Sequence, residues 1–491
     1  MCNSFRKFKT FTRDDIWSSL HAAAKEDGKL PDDVHVNSVA ESWYFKEALP
    51  LITAERNYDT NSVTVRQKLY LRERPHNVRS TDGASWWVPI VIARGDHLNF
   101  TNSTPDFWMN DSTTYTGMPS KKHFIIINPE EIAPFLVNYD KDNWNLLSEY
   151  LQKDERLRIP ELTRAKLLHD AWNLAYAGEL SFATALNMTL FLSKERNHVV
   201  WDPVFTMIDH IGRHIDSSEV HTKFQAYVRA LLSPLYEELI QEEERADEEN
   251  WRKNLRSYTQ NFLCKAGYRP CIRHAQVHFR KWVDAPNPDE GNPLPNQYIC
   301  PVFKWGTKKE WEFGLQRVIN FPSTRKQSER TYLLKTLAGC PVDADRIERL
   351  LNITVLEGNA NFTETDLFLI FSMLTGNSKG YTTLFNFVNK NWDILKEKYS
   401  SKTNLWDNLI SSATSRFTTQ QGLDLVSGLY AGHKGEFGSA KHIIETSIKN
   451  IREEAQWSAE NIPVIENWLD DYLAKIKLED DDDDDDLSTE E

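Results

Sequence analysis

Two pairs of histidines, His210/His214 and His274/His278, stand four residues apart in a chain of 491 residues. On a helix that spacing puts both imidazoles on one face. A zinc peptidase uses it as His-Glu-x-x-His, with the glutamate acting as general base on the metal-bound water. Here Ile211 and Ala275 occupy the glutamate position, and Arg213 would set a positive charge beside the first metal. Both pairs are therefore expected to be structural histidines on helix surfaces, with no metal ligand among them. A glycine-rich phosphate loop is also missing. No spacing singles out a reacting pair among the 72 carboxylates, so no catalytic residue is expected.

The other reactive side chains are Cys2, Cys264, Cys271, Cys300 and Cys340. No Cys-x-x-Cys occurs, which argues against a zinc ribbon or a thioredoxin-like site. On one straight helix Cys264 and Cys271 would lie roughly 10 Å apart, too far for a disulfide, which needs Cα atoms within about 7 Å. Gly267 and Pro270 break that helix. Beyond them Ala275, Phe279 and Trp282 form the apolar stripe of a new one. The segment is expected to be a clipped corner between two helices. By count alone, two local pairs with Cys2 left over and five reduced thiols carry equal weight.

The elements that must hold these residues change character along the chain. Residues 11–48 carry a helical pattern, with Thr12 or Asp14 as cap ahead of Ile16, Trp17 and Leu20. From Pro50 the period becomes two: Val63, Val65, Leu69 and Leu71 alternate with polar residues. Trp86 to Ile92 and His123 to Ile127 are further strands, separated by turn-rich stretches such as His76 to Gly83. After Asn128-Pro129 helical stripes take over. Leu168, Ala171, Trp172 and Ala175 form one that ends before Gly178; Phe182, Ala185, Leu186 and Thr189 form another. Asp202 is expected to cap a third, with Pro203 at its first position. The fold class expected is mixed and mostly α, a small β-sandwich followed by a HEAT- or armadillo-like helical solenoid.

Net charge is −14, but the ten acidic residues between Glu479 and Glu491, with no basic residue among them, leave the remainder at about −4. A near-neutral body gives no electrostatic footing for nucleic acid. Residues 477–491 are expected to be a disordered acidic tail. No run of about 18 apolar residues is present. Met1 to Lys7 is basic without an apolar stretch behind it, so no signal peptide is expected and translation as written implies a cytoplasmic chain. Six Asn-x-Ser/Thr sequons, at Asn99, Asn102, Asn110, Asn187, Asn352 and Asn361, permit glycosylation.

Taken in order, several stretches resemble the post-catalytic half of aminopeptidase N-type zinc metallopeptidases, the gluzincin aminopeptidases. Thr12 to Trp17 resembles that family's Thr-x-x-Asp-Leu-Trp, and Trp86-Trp87-Val88-Pro89 its Trp-x-Ile-Pro. Val137-Asn138-Tyr139-Asp140 with Asn143-Trp144 resembles its Arg-Val-Asn-Tyr-Asp-x-x-Asn-Trp, with Leu136 in place of the arginine. Leu167 to Ala171, Ala175 to Gly178, Glu195 and Trp201 follow the next helical signature, and the corner at Cys264 is similar to the family's paired-cysteine corner. Cys300, Gly306, Trp311 and Phe313 resemble the next pair, whose partner would be Cys340.

The resemblance implies 1–48 as a remnant of the catalytic domain's end, 49–128 as a β-sandwich and 129–476 as the helical C-terminal domain. It also implies disulfides Cys264–Cys271 and Cys300–Cys340 in an extracellular or cell-surface setting. The family's zinc motif lies upstream of the matched region and is absent here, so no zinc or other cofactor is expected in this chain. The expected function is non-catalytic: peptide binding, or modulation of or dimerisation with a full-length relative. The alternatives are a truncated form of an active zinc aminopeptidase and a structural helical scaffold. Without the rest of a catalytic domain, Trp17, Leu20, Trp43, Tyr44 and Phe45 are expected to leave an exposed apolar patch.

Overall fold

A computed structural model describes residues 10–72, 85–240, 249–291, 294–358 and 360–486, with side chains through 476. Cys2 and the stretch His76 to Gly83 lie outside the described residues. The chain divides into two compact units, 1–204 and 205–491.

The first unit opens with α1 (Arg13–Glu26) and α2 (Val36–Tyr44). Thr12 caps α1: its hydroxyl accepts the Asp15 N–H at 3.3 Å while the Asp15 carboxylate accepts the Thr12 N–H at 2.8 Å, a reciprocal capping box. Neither helix has a fully buried residue. Leu20, Tyr44 and Phe45 are exposed, as expected of a patch, whereas Trp17 and Trp43 are half-buried.

Eight strands follow: β1 (Pro50–Asn57), β2 (Ser62–Leu69), β3 (Val88–Ile90), β4 (Ile92–Arg94), β5 (Phe107–Met109), β6 (Thr113–Thr116), β7 (Ile125–Ile127) and β8 (Leu136–Tyr139). They form a four-stranded sheet in the order β6-β2-β1-β8 and the two-stranded pairs β3-β5 and β4-β7. β1 and β2 are an antiparallel hairpin registered from Pro50–Leu69 to Asn57–Ser62. The alternation read from the sequence buries Val63 and Val65 and fades beyond Arg66. β8 pairs in parallel with β1, so strand structure continues past residue 128, where the sheet region was expected to end. A parallel neighbour needs a long connection, and this one is too far away in sequence for local period to reveal.

The further helices of the first unit are α3 (Lys141–Leu151), α4 (Glu161–Tyr176) and α5 (Phe182–Asn187), and α6 (His198–Ile215) begins there. The expected start of α6 at Asp202-Pro203 is corrected. Asn197 Oδ1 accepts the Val199 N–H at 2.9 Å and starts the helix a turn earlier. Pro203 then lies inside it, close to the end where backbone N–H groups lack helical partners.

The second unit is helical throughout its described elements. It contains α7 (His221–Ile240), α8 (Asn250–Lys265), α9 (Arg269–Val283), α10 (Ile299–Trp305), α11 (Lys308–Ile319), α12 (Gln327–Gly339) and α13 (Ala344–Leu351). Then come α14 (Glu364–Leu374), α15 (Ser378–Lys390), α16 (Trp392–Tyr399), α17 (Thr403–Thr414), α18 (Gln420–Gly432) and α19 (Lys441–Asp486). One continuous apolar core runs from Ala275 to Ile451. The α19 backbone is helical through Asp486, so it enters the segment 477–491 that was expected to lack structure. A formed helix propagates at one hydrogen bond per added residue. The chain as a whole is mostly helical with small sheets.

Candidate functional site

The corner between α8 and α9 has the anticipated geometry. Gly267 takes φ +87°, its N–H meets the Cys264 carbonyl at 3.0 Å, and the Tyr268 N–H meets the Leu263 carbonyl at 3.2 Å. These paired bonds around a left-handed glycine form a Schellman stop. Pro270 then opens α9. The break brings the Cys264 and Cys271 Cα atoms to 5.4 Å in a disulfide, and Cys300 and Cys340 are joined over the same Cα separation.

Side chains converge on the carbonyls at this corner. Trp305 Nε1–H donates to Cys264 O at 2.8 Å, Lys304 Nζ to Lys265 O at 2.9 Å, and Arg229 Nη1 to Ala266 O at 2.7 Å. Three carbonyls at a helix end are thus met by one indole and two cations, the Cys264 carbonyl in addition to its bond from Gly267 N–H, and the cations also suit the negative end of the helix dipole.

Beside this corner a cavity of about 660 Å³ opens within the second unit. Ile208, Phe224, Phe262, Trp305, Phe417 and Leu425 supply apolar walls; Arg213, Lys265, Lys304 and Lys379 bring positive charge, and Asp209, Asp216 and Glu219 negative. Asp209 is paired with Arg213 at 2.6 Å and with Lys265 at 3.7 Å. Asp216 lies 3.6 Å from His221 Nε2 and also accepts the Ser378 N–H. His221 Nδ1 is buried with no hydrogen-bond partner in the protein. Desolvation pulls the His221 pKa down, aided by the Lys304 and Lys265 charges, while Asp216 opposes. Lys304 is lowered to about 8, first by desolvation and then by the Lys265 charge, with Asp216 again opposing.

The two histidine pairs do not meet at this site. His214 Nε2 is 3.0 Å from Glu454, Nδ1 is 3.0 Å from the His210 carbonyl, and the ring packs on Trp457 with centroids 4.4 Å apart. His274 Nε2 lies 3.2 Å from Tyr298 Oη, and the His278 ring stacks on Tyr298 at 4.4 Å. Desolvation lowers both pKa values. Among the described residues no group of three or more His, Cys, Asp or Glu is placed to hold a metal. The cavity residues Asp216, His221 and Lys304 were not singled out from the sequence. They come from two separated stretches, Asp216 and His221 in one and Lys304 in the other, and only folding assembles them.

Of the sequon asparagines, Asn99, Asn102, Asn110, Asn352 and Asn361 are exposed and Asn187 is half-buried. Among the described residues no helix is long and apolar enough to cross a membrane.

The stretches that carried the family resemblance serve the fold. Asp140 caps α3 through the Asn143 N–H at 3.0 Å and accepts Tyr58 Oη–H at 2.7 Å. Asn143 exchanges two bonds with Ile125, at 2.9 and 3.0 Å, and Trp144 Nε1–H donates to Asn138 at 3.0 Å. Glu195 pairs with Arg164, and its carbonyl accepts Trp201 Nε1–H at 3.2 Å.

The chain is similar over most of its length to known proteins. Aminopeptidase N of Mus musculus is 24% identical over 468 residues, covering 92% of this chain and 46% of that protein. Aminopeptidase N of Homo sapiens is 25% identical with the same coverage. Endoplasmic reticulum aminopeptidase 1 of Homo sapiens is 25% identical over 498 residues, covering 94% of this chain and 49% of that protein. The chain therefore spans about half the length of the curated relatives it matches. A profile described as the ERAP1-like C-terminal domain matches residues 124–453, and the chain belongs to that family.

Proposed function

We propose that the helical unit binds peptides in the cavity beside the Cys264–Cys271 corner. The observation that carries this reading is the cavity itself. About 660 Å³ with apolar walls and charges of both signs suits a peptide, whose backbone and side chains present both chemistries. The relatives are aminopeptidases by name, which supports peptides as the ligand class. We read the helices as a HEAT-like solenoid because contacts step from α12 to α14, α17 and α19, and from α13 to α15 and α17. Two disulfides support an oxidising, extracellular or cell-surface setting, where the five exposed sequons are glycosylated.

Fluorescence anisotropy of labelled nine- to sixteen-residue peptides tests the proposal. Saturable binding to the purified chain, weakened at least about tenfold by Gln421→Trp at the cavity wall, is the expected result. No saturation, or binding indifferent to the substitution, overturns it.

A second reading has its own observation. Phe11, Leu20, Tyr44, Phe45 and Leu49 are exposed in and around α1 and α2, a surface suited to a zinc-bearing catalytic domain of a full-length relative. Mixing the chain with such a recombinant domain and measuring aminopeptidase turnover distinguishes a modulating partner from an independent peptide binder.

A further inference from the structure

One group on the cavity wall is chemically unlike the rest. Lys304 leaves the last turn of α10, between a helix start fixed by the Cys300–Cys340 disulfide and a hydrogen bond to the carbonyl of Lys265, next to the Cys264–Cys271 corner. Its Nζ lies 4.9 Å from the centroid of the Trp305 ring. The amine is hemmed in by protein yet lines the cavity, so a ligand there can reach it. No carboxylate forms an ion pair with Lys304 among the described contacts; its one recorded hydrogen bond goes to a neutral carbonyl. A lysine in partly desolvated surroundings beside a second cation is the recognised environment of a nucleophilic amine.

We propose that Lys304 is an imine-forming site: the cavity seats an apolar aldehyde and holds it covalently on Nζ. The apolar walls from Phe224, Phe262 and Leu425 take the aldehyde's hydrocarbon part. The neutral amine attacks the carbonyl carbon, the π pair moves to oxygen, and a proton passes from nitrogen to that oxygen to give a carbinolamine. The nitrogen lone pair then expels the hydroxyl, which takes up a proton and departs as water, and the resulting iminium gives up its N–H proton to leave the imine. Amine and aldehyde give imine and water, with no oxidant or reductant required. Asp216 and His221 line the same cavity and supply groups able to accept and return the proton. The lowered lysine pKa of about 8 gives about three-hundredfold more free amine at neutral pH than an ordinary side chain would hold. The inference stands apart from peptide binding, since neither requires the other.

The test is reductive trapping on the full chain. 2-Naphthaldehyde and cyanoborohydride are added at pH 7.5, and the modified lysines are mapped by mass spectrometry. Hydride from the cyanoborohydride converts the protonated imine to a stable secondary amine. Lys304 is expected to react at least about tenfold faster than the exposed Lys308 and Lys309 of the same molecules. Its rate is expected to saturate with aldehyde and to rise through pH 8. Unfolding in urea should erase the preference, and Lys304→Arg should abolish the fast adduct. A Lys304 rate equal to that of Lys308 and Lys309, or one that grows linearly with aldehyde, overturns the proposal. The comparison among lysines within the native chain decides even if Lys304→Arg folds poorly.

Discussion

In the first unit Arg164 meets Glu195 at 3.0 Å and Lys166 meets Asp170 at 2.5 Å, all four side chains no more than 5% exposed. In the second unit Lys304 lines a cavity with a backbone carbonyl as its recorded acceptor, and His221 Nδ1 is buried with none. Buried charge is costly unless paired and hydrogen-bonded. These two pairs match each charge with an opposite one, with Asp170 Oδ1 left without a hydrogen bond, so they belong to the architecture. The second leaves it partly unmet beside an open volume, the condition under which a perturbed group signals chemistry. Family-like sequence alone does not separate the two cases: Glu195 lies in a matched signature and is structural, whereas Lys304 lies beside one at Gly306 and faces the cavity.

The comparison is broken most forcefully at Arg164. Arg164→Ala leaves the Glu195 carboxylate buried without its cation, although it still accepts the Arg196 and Asn197 N–H groups at 2.9 Å. A loss of about 3–5 kcal/mol is expected in urea unfolding. Adding Glu195→Gln to Arg164→Met keeps an acceptor for both amides but removes the need for a cation. It should restore at least about half of the loss. If the double variant is as unstable as Arg164→Ala, packing rather than charge matching holds this part of the unit.

Much of this architecture was legible because its signals are local. Gly267 and Pro270 between two cysteines define a corner within eight residues, and the Val63/Val65 alternation defines a strand within a few. The start of α6 was misplaced because Asp202-Pro203 imitates a cap, while Asn197 makes the actual cap bond. β8 was missed because its partner, β1, lies some 80 residues away. The cavity was invisible for the same reason on a larger scale: Asp216, His221 and Lys304 need a whole set of helix packings to meet. Sequence period tells which face of an element is buried, but not which distant element covers it.

The two disulfides, both in the second unit, allow a finer comparison of its fastenings. In a chain-entropy account a bridge stabilises according to the loop it closes. Cys264–Cys271 spans 7 positions and Cys300–Cys340 spans 40. Cys300→Ser with Cys340→Ser should cost about 4 kcal/mol, and Cys264→Ser with Cys271→Ser about 2.5 kcal/mol. Equilibrium denaturation of both pairs measures the difference. A reversed order would show that the short clip does more than limit the unfolded chain, and its hydrogen-bonded carbonyls at Cys264, Lys265 and Ala266 are where that added role would lie.

Lys304 gives the smallest effect and the sharpest sign. Its pKa is about 8 in the fold against 10.5 for an ordinary lysine. Between those values the unfolded chain binds more protons than the folded one, so wild-type stability should rise as pH goes from 8 to 10.5. Below pH 8 the penalty of holding the ammonium in place is present in full. Lys304→Met removes that penalty but also the bond to Lys265 O. Allowing for water in the cavity, it should gain about 1 kcal/mol at pH 7. That gain should dwindle as pH rises through 10.5, above which the wild-type amine becomes largely neutral in both states. Melting temperatures of the two proteins across this range measure it. A gain that stays constant with pH would mean Met simply packs better, and Lys304 would then belong with the structural charges of the first unit.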